Sequence, residues 1–227
     1  MYGAAIDLLA DLHLKPVPSG LARYDEAKLL ADAELFLDWY VPRRLGRDAS
    51  PTERDDFRTA WRVVLPRGSV VPAALALRDY HADNLMWLPP RIGARDDPHG
   101  IRRVGLLDFQ DALLAPLPYD IVSLLEDARR DVPPALAEAM VERYLAARPG
   151  LERDAFLASY AVMGAQRNVR ILGVFASLSK RDGKHRYLDY LPRLWRLVER
   201  DLAHPALRPV EAWLDAVVPP ALRERAA

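Results

Sequence analysis

The chain of 227 residues contains no cysteine. This absence excludes a disulfide framework and any zinc site built on thiolates. The 32 basic residues are balanced by 32 acidic residues. The chain therefore lacks the basic excess that nucleic-acid binding requires, and we expect no nucleic-acid partner.

Long apolar runs are also missing. Asp7 and Asp11 interrupt the apolar stretch "MYGAAIDLLADLHLKP", so we expect no signal peptide there. No run approaches the roughly 20 apolar residues that a membrane-spanning helix needs. We therefore expect a cytoplasmic protein with no membrane partner. Because hydrophobic residues make up 51% of the chain, it is able to bury a core.

Two common phosphate-binding signals are absent from the 227 residues. None of the eleven glycines is spaced Gly-x-Gly, and there is no Walker sequence. Lysine is scarce and never follows a strand-like Val-Ala-x pattern; it occurs only as Lys15, Lys28, Lys180 and Lys184.

Helical periodicity dominates what is present. Apolar spacing predicts helices over 3–14, 25–41, 133–147, 152–163, 165–180, 186–202 and 208–217, and another that begins after Asp120. The sequence "SPTE" from Ser50 to Glu53 predicts a capped helix that ends near Trp61 or Val64. Gly183 is suited to end a helix.

The middle of the chain has a different pattern. The stretches "LMWL" (85–88) and "IRRVGLLDF" (101–109) read as strands, and the loop "PPRIGARDDPHG" (89–100) joins them. The predicted fold class is therefore mainly α with a small β-hairpin.

Polar clusters flank this hairpin, in "LRDYHADN" (77–84) and "DFQD" (108–111). Because a hairpin brings its ends together, Asp79, Asn84 and Asp108 are expected to converge. The oxygens of Asn84 and Asp108 suit Mg²⁺, which leaves Asp79 to orient or deprotonate a hydroxyl. Phosphoryl transfer requires this division of roles. Taken alone, Asp79 would be read as a turn cap.

These two stretches resemble the catalytic and metal-binding loops of the aminoglycoside phosphotransferase and choline kinase-like family, which shares the protein-kinase fold. Asp79, His81 and Asn84 match the family loop in register, and Asp108 matches its metal-binding Asp. Asp120, in "PYDIVSLL", matches the Asp that opens the next helix. Four stretches are similar in sequence to bacterial anomeric N-acetylmuramate/N-acetylglucosamine kinases of cell-wall recycling: "RDYHADNLMWLP", "RVGLLDFQDAL", "YDIVSLLEDARRDVP" and "GAQRN".

The resemblance implies that residues 1–227 form a single kinase-like C-terminal lobe, with the N-terminal nucleotide lobe absent. Its parts are a helical segment (1–66), the catalytic loop, hairpin and metal loop (75–111), and a helical subdomain (119–217). It also implies transfer of the γ-phosphoryl of ATP, with Mg²⁺, to a hydroxyl of a small amino sugar. An inactive fragment and a magnesium-dependent phosphoesterase are the alternatives, so whether this chain is an enzyme stays open.

Other residues near these loops are predicted to support the structure, and for some of them two alternative roles remain open. Leu77 replaces the leading His of the family loop and is expected to fill an apolar slot, while Arg78 is expected to pair with a carboxylate. Asp120 is read as a helix N-cap and loop brace. The remaining candidates either contact the sugar or serve locally as loop braces, turn residues or exposed surface; they are His81, Gln110, Asp111, Gln166, Arg167 and Asn168. Self-association is expected through the apolar surface that would face the absent lobe.

Overall fold

The computed structural model describes residues 1–90, 97 and 100–223. The predicted loop at 89–100 therefore lies largely outside the described residues. The described helices are α1 (Tyr2–Leu12), α2 (Glu26–Ala33), α3 (Val41–Leu45), α4 (Pro51–Gly68), α5 (Tyr119–Leu125), α6 (Pro134–Ala146), α7 (Arg153–Asp182), α8 (Leu191–Leu202), α9 (Arg208–Val217) and α10 (Pro220–Arg223). The described strands are β1 (Ala73–Ala76), β2 (Leu85–Trp87), β3 (Val104–Leu106) and β4 (Leu113–Pro116).

The chain divides into two compact units. The first contains Met1–Arg23 and Val71–Phe156, and the second contains Tyr24–Val70 and Leu157–Ala227. This division cuts through the predicted segments 1–66 and 119–217, and helix α7 continues from one unit into the other. The reading of the chain as a single kinase-like lobe stays a prediction.

Two nested antiparallel strand pairs organise the first unit. β1 pairs with β4, so that Ala73 lies opposite Pro116. β2 pairs with β3, so that Leu85 lies opposite Leu106. Because the inner pair is contained between the outer strands in sequence, the connections 77–84 and 107–112 run side by side. The nesting thus places both polar clusters at the same end of the hairpin.

Helices support these short strands within the first unit. α1 packs against α6 and α5. The Tyr80 hydroxyl donates to the Ala5 carbonyl across 2.8 Å, which fixes the loop after β1 to α1. His13 Nδ1 and the Tyr144 hydroxyl lie 2.7 Å apart, linking the end of α1 to α6.

The second unit has an aromatic core. Phe36, Phe57 and Trp213 form stacked and edge-on contacts with centroids 4.9–6.4 Å apart. The Trp195 indole donates to the Tyr40 hydroxyl across 2.7 Å, so this buried polar pair is satisfied. At Gly173 a Cβ atom would lie only 2.4 Å from the Leu35 carbonyl, so α7 needs a glycine where it passes this backbone.

The predicted hairpin and the helices at 3–14, 133–147 and 208–217 are confirmed. The helix ends shift by at most two residues, whereas the second strand is shorter than its predicted range 101–109 and covers only Val104–Leu106. The predicted helix 25–41 is interrupted after Ala33 and passes through a π-helical turn at Phe36–Tyr40. The helix that starts at Pro51 continues to Gly68, beyond its expected end. The predicted helices 152–163 and 165–180 form one 30-residue helix, α7. Gly183 follows α7 with φ +67°, as expected for a helix-ending glycine.

One further expectation was wrong in part, and one strand pair was missed. Residues 186–202 begin with a 3₁₀ segment, His185–Tyr190, and become α-helical only at Leu191. The β1–β4 pair was not predicted, because "AALA" lacks the β-branched and aromatic residues that favour strands. Within the described part of the chain, no helix has both the length and the apolar character needed to cross a bilayer.

The capping box of α4 generates a prediction about acid stability. Glu53 accepts hydrogen bonds from Arg47 across 2.7 and 2.8 Å and from the Ser50 N–H across 2.7 Å. These bonds, chiefly those from Arg47, lower the pKa of Glu53 from 4.5 to about 2. A lowered carboxyl pKa stabilises the fold above pH 4.5, and this stabilisation is lost as the pH falls towards 2.

We therefore expect Glu53→Gln to remove part of the loss of melting temperature between pH 5 and pH 2. Glu138→Gln, at an exposed position of α6, is the control. Melting curves recorded across that pH range test the expectation. Parallel pH dependence for wild type and Glu53→Gln would contradict it.

Candidate active site

The side-by-side connections bring Asn84 and Asp108 together. Asn84 closes a 3₁₀ turn, Ala82–Asn84, directly before β2, and its carbonyl accepts the Leu107 N–H across 3.0 Å. The Asn84 amide nitrogen lies 3.5 Å from Oδ2 of Asp108. Two residues separated by 24 positions thus face each other, as the hairpin predicted.

The same amide also organises the loop that carries Asp79. Asn84 Nδ2 donates to the Asp79 carbonyl across 3.0 Å and lies 3.5 Å from His81 Nε2. None of the described residues donates a hydrogen bond to the Asn84 side-chain oxygen, so this oxygen can accept another ligand. The amide therefore bridges the two connections and still presents an acceptor.

Asp108 has an unusual backbone conformation. Its φ is +59°, and Arg78 has φ +68°; among the described residues these are the only non-glycine positions with positive φ. Such backbone is costly for residues with a Cβ and is concentrated at functional sites. The Asp108 side chain is exposed, and Oδ1 accepts a hydrogen bond from Gln110 Nε2 across 2.7 Å. The turn thus presents a carboxylate next to Asn84.

Asp79 lies at the entrance of the loop and is partly buried. Its backbone N–H donates to the Leu77 carbonyl across 2.9 Å. No described residue donates a hydrogen bond to its carboxylate, and none forms an ion pair with it. The carboxylate is therefore free to accept a proton or a hydrogen bond from a bound molecule.

Asp120 holds this loop in place. Its carboxylate accepts the Leu77 N–H across 2.6 Å and the Arg78 N–H across 3.0 Å. Asp120 is 1% exposed. These two hydrogen bonds are the contacts expected of a loop brace. The N-cap reading was wrong, because Asp120 lies within α5, after its first residue Tyr119, and its oxygens bond to the distant loop instead of the helix end.

Leu77 is 7% exposed, so the expected apolar slot is filled. His81 is also 7% exposed and lies beside Asn84, a position that suits bracing of the loop. The Arg78 backbone N–H bonds to a carboxylate, that of Asp120. Sugar contact by His81 stays a prediction.

The other candidate sugar contacts lie in two places. Gln110 and Asp111 are exposed in the turn after Asp108. Gln166, Arg167 and Asn168 lie in the second unit and are at most 4% exposed. Gln166 Nε2 donates to the Leu29 carbonyl across 2.8 Å, and Asn168 Nδ2 lies 3.3 Å from Oδ2 of Asp201. The exposed-surface reading of this patch was wrong, and sugar contact stays a prediction.

The donor set of Asn84 and Asp108 fits a magnesium ion. It offers an amide oxygen and an exposed carboxylate, both hard ligands. Among residues 1–90, 97 and 100–223, no group of three or more His, Asp or Glu could hold a metal ion. An ion here would need further oxygens from water or from phosphate, which is how Mg²⁺ is usually held in phosphoryl-transfer sites.

The hairpin also presents apolar side chains to solvent. Its exposed members are 43–55% accessible, namely Met86, Trp87, Leu107 and Phe109. The Arg103 guanidinium lies 4.3 Å from the centre of the Trp87 ring. The surface beside the acidic and amide groups is therefore suited to an aromatic or apolar partner.

Sequence reasoning missed two contacts that support the loop. The Ser123 hydroxyl donates to the Arg78 carbonyl across 3.1 Å, and the Arg130 guanidinium lies 3.1 Å from Oδ1 of Asp83. Asp120 and Ser123 are about one helical turn apart and lie on the same face of the helix, so the first contact could have been predicted from the helix periodicity. No local pattern signalled the second.

The Asp120 contacts generate a prediction. Asp120→Asn keeps one acceptor but turns an NH₂ group towards a backbone N–H, so a buried donor loses its partner. We expect the free energy of unfolding to fall by at least about 2 kcal/mol. The Leu77 and Arg78 amides should also lose protection in hydrogen exchange. Asp154→Asn, at an exposed position of α7, is the control, and unchanged protection at both amides would contradict the bracing role.

The chain is similar to known proteins in sequence and in fold. The family described as "Phosphotransferase enzyme family" matches residues 1–157. The chain is 42% identical to an N-acetylmuramate/N-acetylglucosamine kinase of Caulobacter vibrioides, over 96% of this chain and 61% of that protein. The chain thus spans about three fifths of the length of this curated relative.

Solved structures share the fold at low identity. A choline/ethanolamine kinase family protein from Mesorhizobium loti aligns with a TM-score of 0.59 and 15% identity, over 95% of this chain and 65% of that one. The GDP complex of aminoglycoside 2'-phosphotransferase-IIIa aligns with a TM-score of 0.52 and 18% identity, over 89% of this chain and 63% of that one. The family match covers more than half of the chain, and it includes the loop, the hairpin and α5. The chain therefore belongs to the phosphotransferase enzyme family.

Proposed function

We propose that this chain carries the acceptor- and magnesium-binding part of a sugar phosphotransferase. The reaction moves the γ-phosphoryl group of ATP to a hydroxyl of a small amino sugar, the anomeric hydroxyl of N-acetylmuramate or N-acetylglucosamine. The observation that carries the proposal is the position of Asn84, whose amide joins the Asp79 carbonyl to the Asp108 carboxylate. The name of the Caulobacter vibrioides relative supports the sugar.

Asp79 acts on the acceptor hydroxyl. Its carboxylate has no hydrogen-bond donor among the described residues, so it can accept the hydroxyl hydrogen and point the oxygen at the phosphorus. As the O–P bond forms and the bond to the leaving ADP oxygen breaks, the hydroxyl proton passes to Asp79. Phosphoryl transfer needs little more from the protein than positioning and charge stabilisation.

Asn84 and Asp108 would hold Mg²⁺. When bound, the ion supplies positive charge to the phosphate oxygens. The Asn84 side-chain oxygen is available because no described residue donates a hydrogen bond to it. The Gln110 hydrogen bond to Oδ1 keeps the Asp108 carboxylate next to Asn84.

The exposed hairpin face supports a nucleotide site. Met86 follows Asn84 by two residues, and Leu107 directly precedes Asp108. Both side chains are about half exposed, so an adenine ring has an apolar surface against which to pack. On this proposal the protein works in the cytoplasm, where ATP is available. Self-association through the same apolar face stays a prediction.

The roles of the two aspartates can be separated. We propose a chimera in which the unmatched part of the Caulobacter vibrioides relative is fused to this chain, so that a complete nucleotide site is supplied. In it, Asp79→Asn should lower turnover by about 10²–10⁴-fold with little change in the KM for ATP, because a base acts in the transition state. Asp108→Asn should also raise the Mg²⁺ concentration required for activity.

Steady-state kinetics with N-acetylglucosamine and titrated Mg²⁺ measure both effects. Asp154→Asn is the control, since this aspartate is exposed in α7. Near-normal turnover of Asp79→Asn would exclude Asp79 as the base. A chimera that folds and binds ATP but makes no sugar phosphate would contradict the proposed function.

The chain by itself should be inactive. Its 227 residues contain no glycine-rich loop and no lysine in a phosphate-pairing context, and positioning supplies most of the catalysis in phosphoryl transfer. We expect a folded protein that makes no sugar phosphate from ATP, Mg²⁺ and either N-acetylmuramate or N-acetylglucosamine. Sugar phosphate detected with the purified chain would show that these residues alone hold the nucleotide.

A further inference from the structure

Two acidic residues directly after α5 are buried. Glu126 is 0% exposed and Asp127 is 2% exposed. Asp127 Oδ1 accepts the Arg129 N–H across 2.9 Å. Asp127 Oδ2 is buried, and none of the described residues donates a hydrogen bond to it. A buried carboxylate oxygen without a donor costs free energy, so its retention needs a reason.

A role in the turn explains only one of the two oxygens. The turn from Asp127 to Arg130 needs an acceptor for the Arg129 N–H, and Oδ1 provides it. A serine or asparagine would do the same without burying a second, charged oxygen. Oδ2 is therefore left without a function in the local fold.

The surrounding contacts place Asp127 beside the catalytic loop. Four residues before it, Ser123 donates to the Arg78 carbonyl. Three residues after it, Arg130 pairs with Asp83, which lies in the turn next to Asn84. The Asp127 segment is thus tied at both ends to residues 78–83.

Tyr2 gives a further indication of position. Burial raises the pKa of Tyr2, and the nearby charges of Arg130 and Asp127 act on that pKa in opposite directions. Asp127 and Arg130 therefore both lie close to Tyr2, at the start of α1. All four groups, Tyr2, Asp83, Asp127 and Arg130, belong to the first unit.

Asp127 Oδ2 is shielded from solvent, so a ligand can reach it only if a neighbouring side chain moves. Arg130 follows Asp127 by three residues, and the side chains of its ion pair with Asp83 are 55% and 49% exposed. Exposed pairs of this kind contribute only about 0–1 kcal/mol. Movement of the Arg130 side chain would therefore cost little in lost ion pairing.

We propose that Asp127 is a substrate-binding residue, whose Oδ2 accepts a hydrogen bond from a hydroxyl of the sugar other than the one phosphorylated at Asp79. The ligand class is a neutral or weakly charged polyhydroxylated ring, because such a ligand brings the hydrogen-bond donor that Oδ2 lacks. This inference rests on the proposed function, and it assigns to Asp127 the orientation of the acceptor. Glu126 is not required for it.

The test measures sugar binding without ATP. N-acetylglucosamine and its 3-deoxy, 4-deoxy and 6-deoxy analogues are titrated against the 227-residue chain, and dissociation constants are read from ligand-observed NMR. The variants are Asp127→Ser, which keeps an acceptor for the Arg129 N–H, and Asp127→Asn, which puts a donor in place of Oδ2. Asp154→Asn is the matched control, and melting temperatures check folding.

We expect both Asp127 variants to weaken N-acetylglucosamine binding by about 10- to 100-fold, the range for a hydrogen bond to a charged group. For the wild-type chain, one deoxy analogue should bind more weakly than N-acetylglucosamine by a similar factor. For Asp127→Ser, the same analogue and N-acetylglucosamine should bind equally. A residue that only supports the turn would lower the melting temperature but would not single out one hydroxyl. If one variant fails to fold, the other provides the same comparison.

Three results would overturn the inference: equal affinities for wild type and Asp127→Ser, the same deoxy-sugar pattern in both, or no sugar binding by the wild-type chain. The chimera distinguishes failure of the Asp127 inference from failure of the proposed function. If the chimera is active and substitution of Asp127 does not change its sugar affinity, only the inference about Asp127 is overturned. An inactive chimera whose sugar binding still depends on Asp127 would overturn the phosphotransfer proposal and support the binding site.

Discussion

The candidate site depends on one buried carboxylate. Asp120 accepts the backbone N–H groups of two successive loop residues, Leu77 and Arg78. A carboxylate that is 1% exposed is stable only if its charge is compensated, and two short hydrogen bonds provide much of this compensation. The two bonds also support the positive φ of Arg78, and Asp79 takes its position from that turn.

The strands supply the second constraint. Each of the four is three or four residues long, and an isolated pair of such strands would be marginal in water. Nesting one pair inside the other forces the two polar connections to run together, and α1 and α5 fix the ends. The scaffold therefore contributes little regular sheet, and its main effect is to juxtapose Asn84 and Asp108. This is an economical way to place loop residues precisely.

The sequence predicted the part of this arrangement that follows from local pattern. The turn residues between "LMWL" and "IRRVGLLDF" imply a hairpin, and a hairpin implies that Asn84 and Asp108 meet. The β1–β4 pair could not be predicted, because "AALA" becomes a strand only through its partner. The predicted helices 152–163 and 165–180 leave out Gly164, where a Cβ would lie 2.6 Å from the Asp201 carboxylate, so this glycine serves packing inside one long helix. Tertiary contact decided both outcomes, and no local window contains that information.

The left-handed backbone at Asp108 has an evolutionary consequence. Glycine would occupy φ +59° without the steric cost of a Cβ, a difference of about 1 kcal/mol. Stability and the presentation of a carboxylate therefore favour different residues at this position. A lineage released from the need to bind a cation could gain robustness by a single substitution here, and it would lose the ligand in the same step. The aspartate at this turn therefore lowers the stability of the fold but provides a carboxylate that can bind a cation.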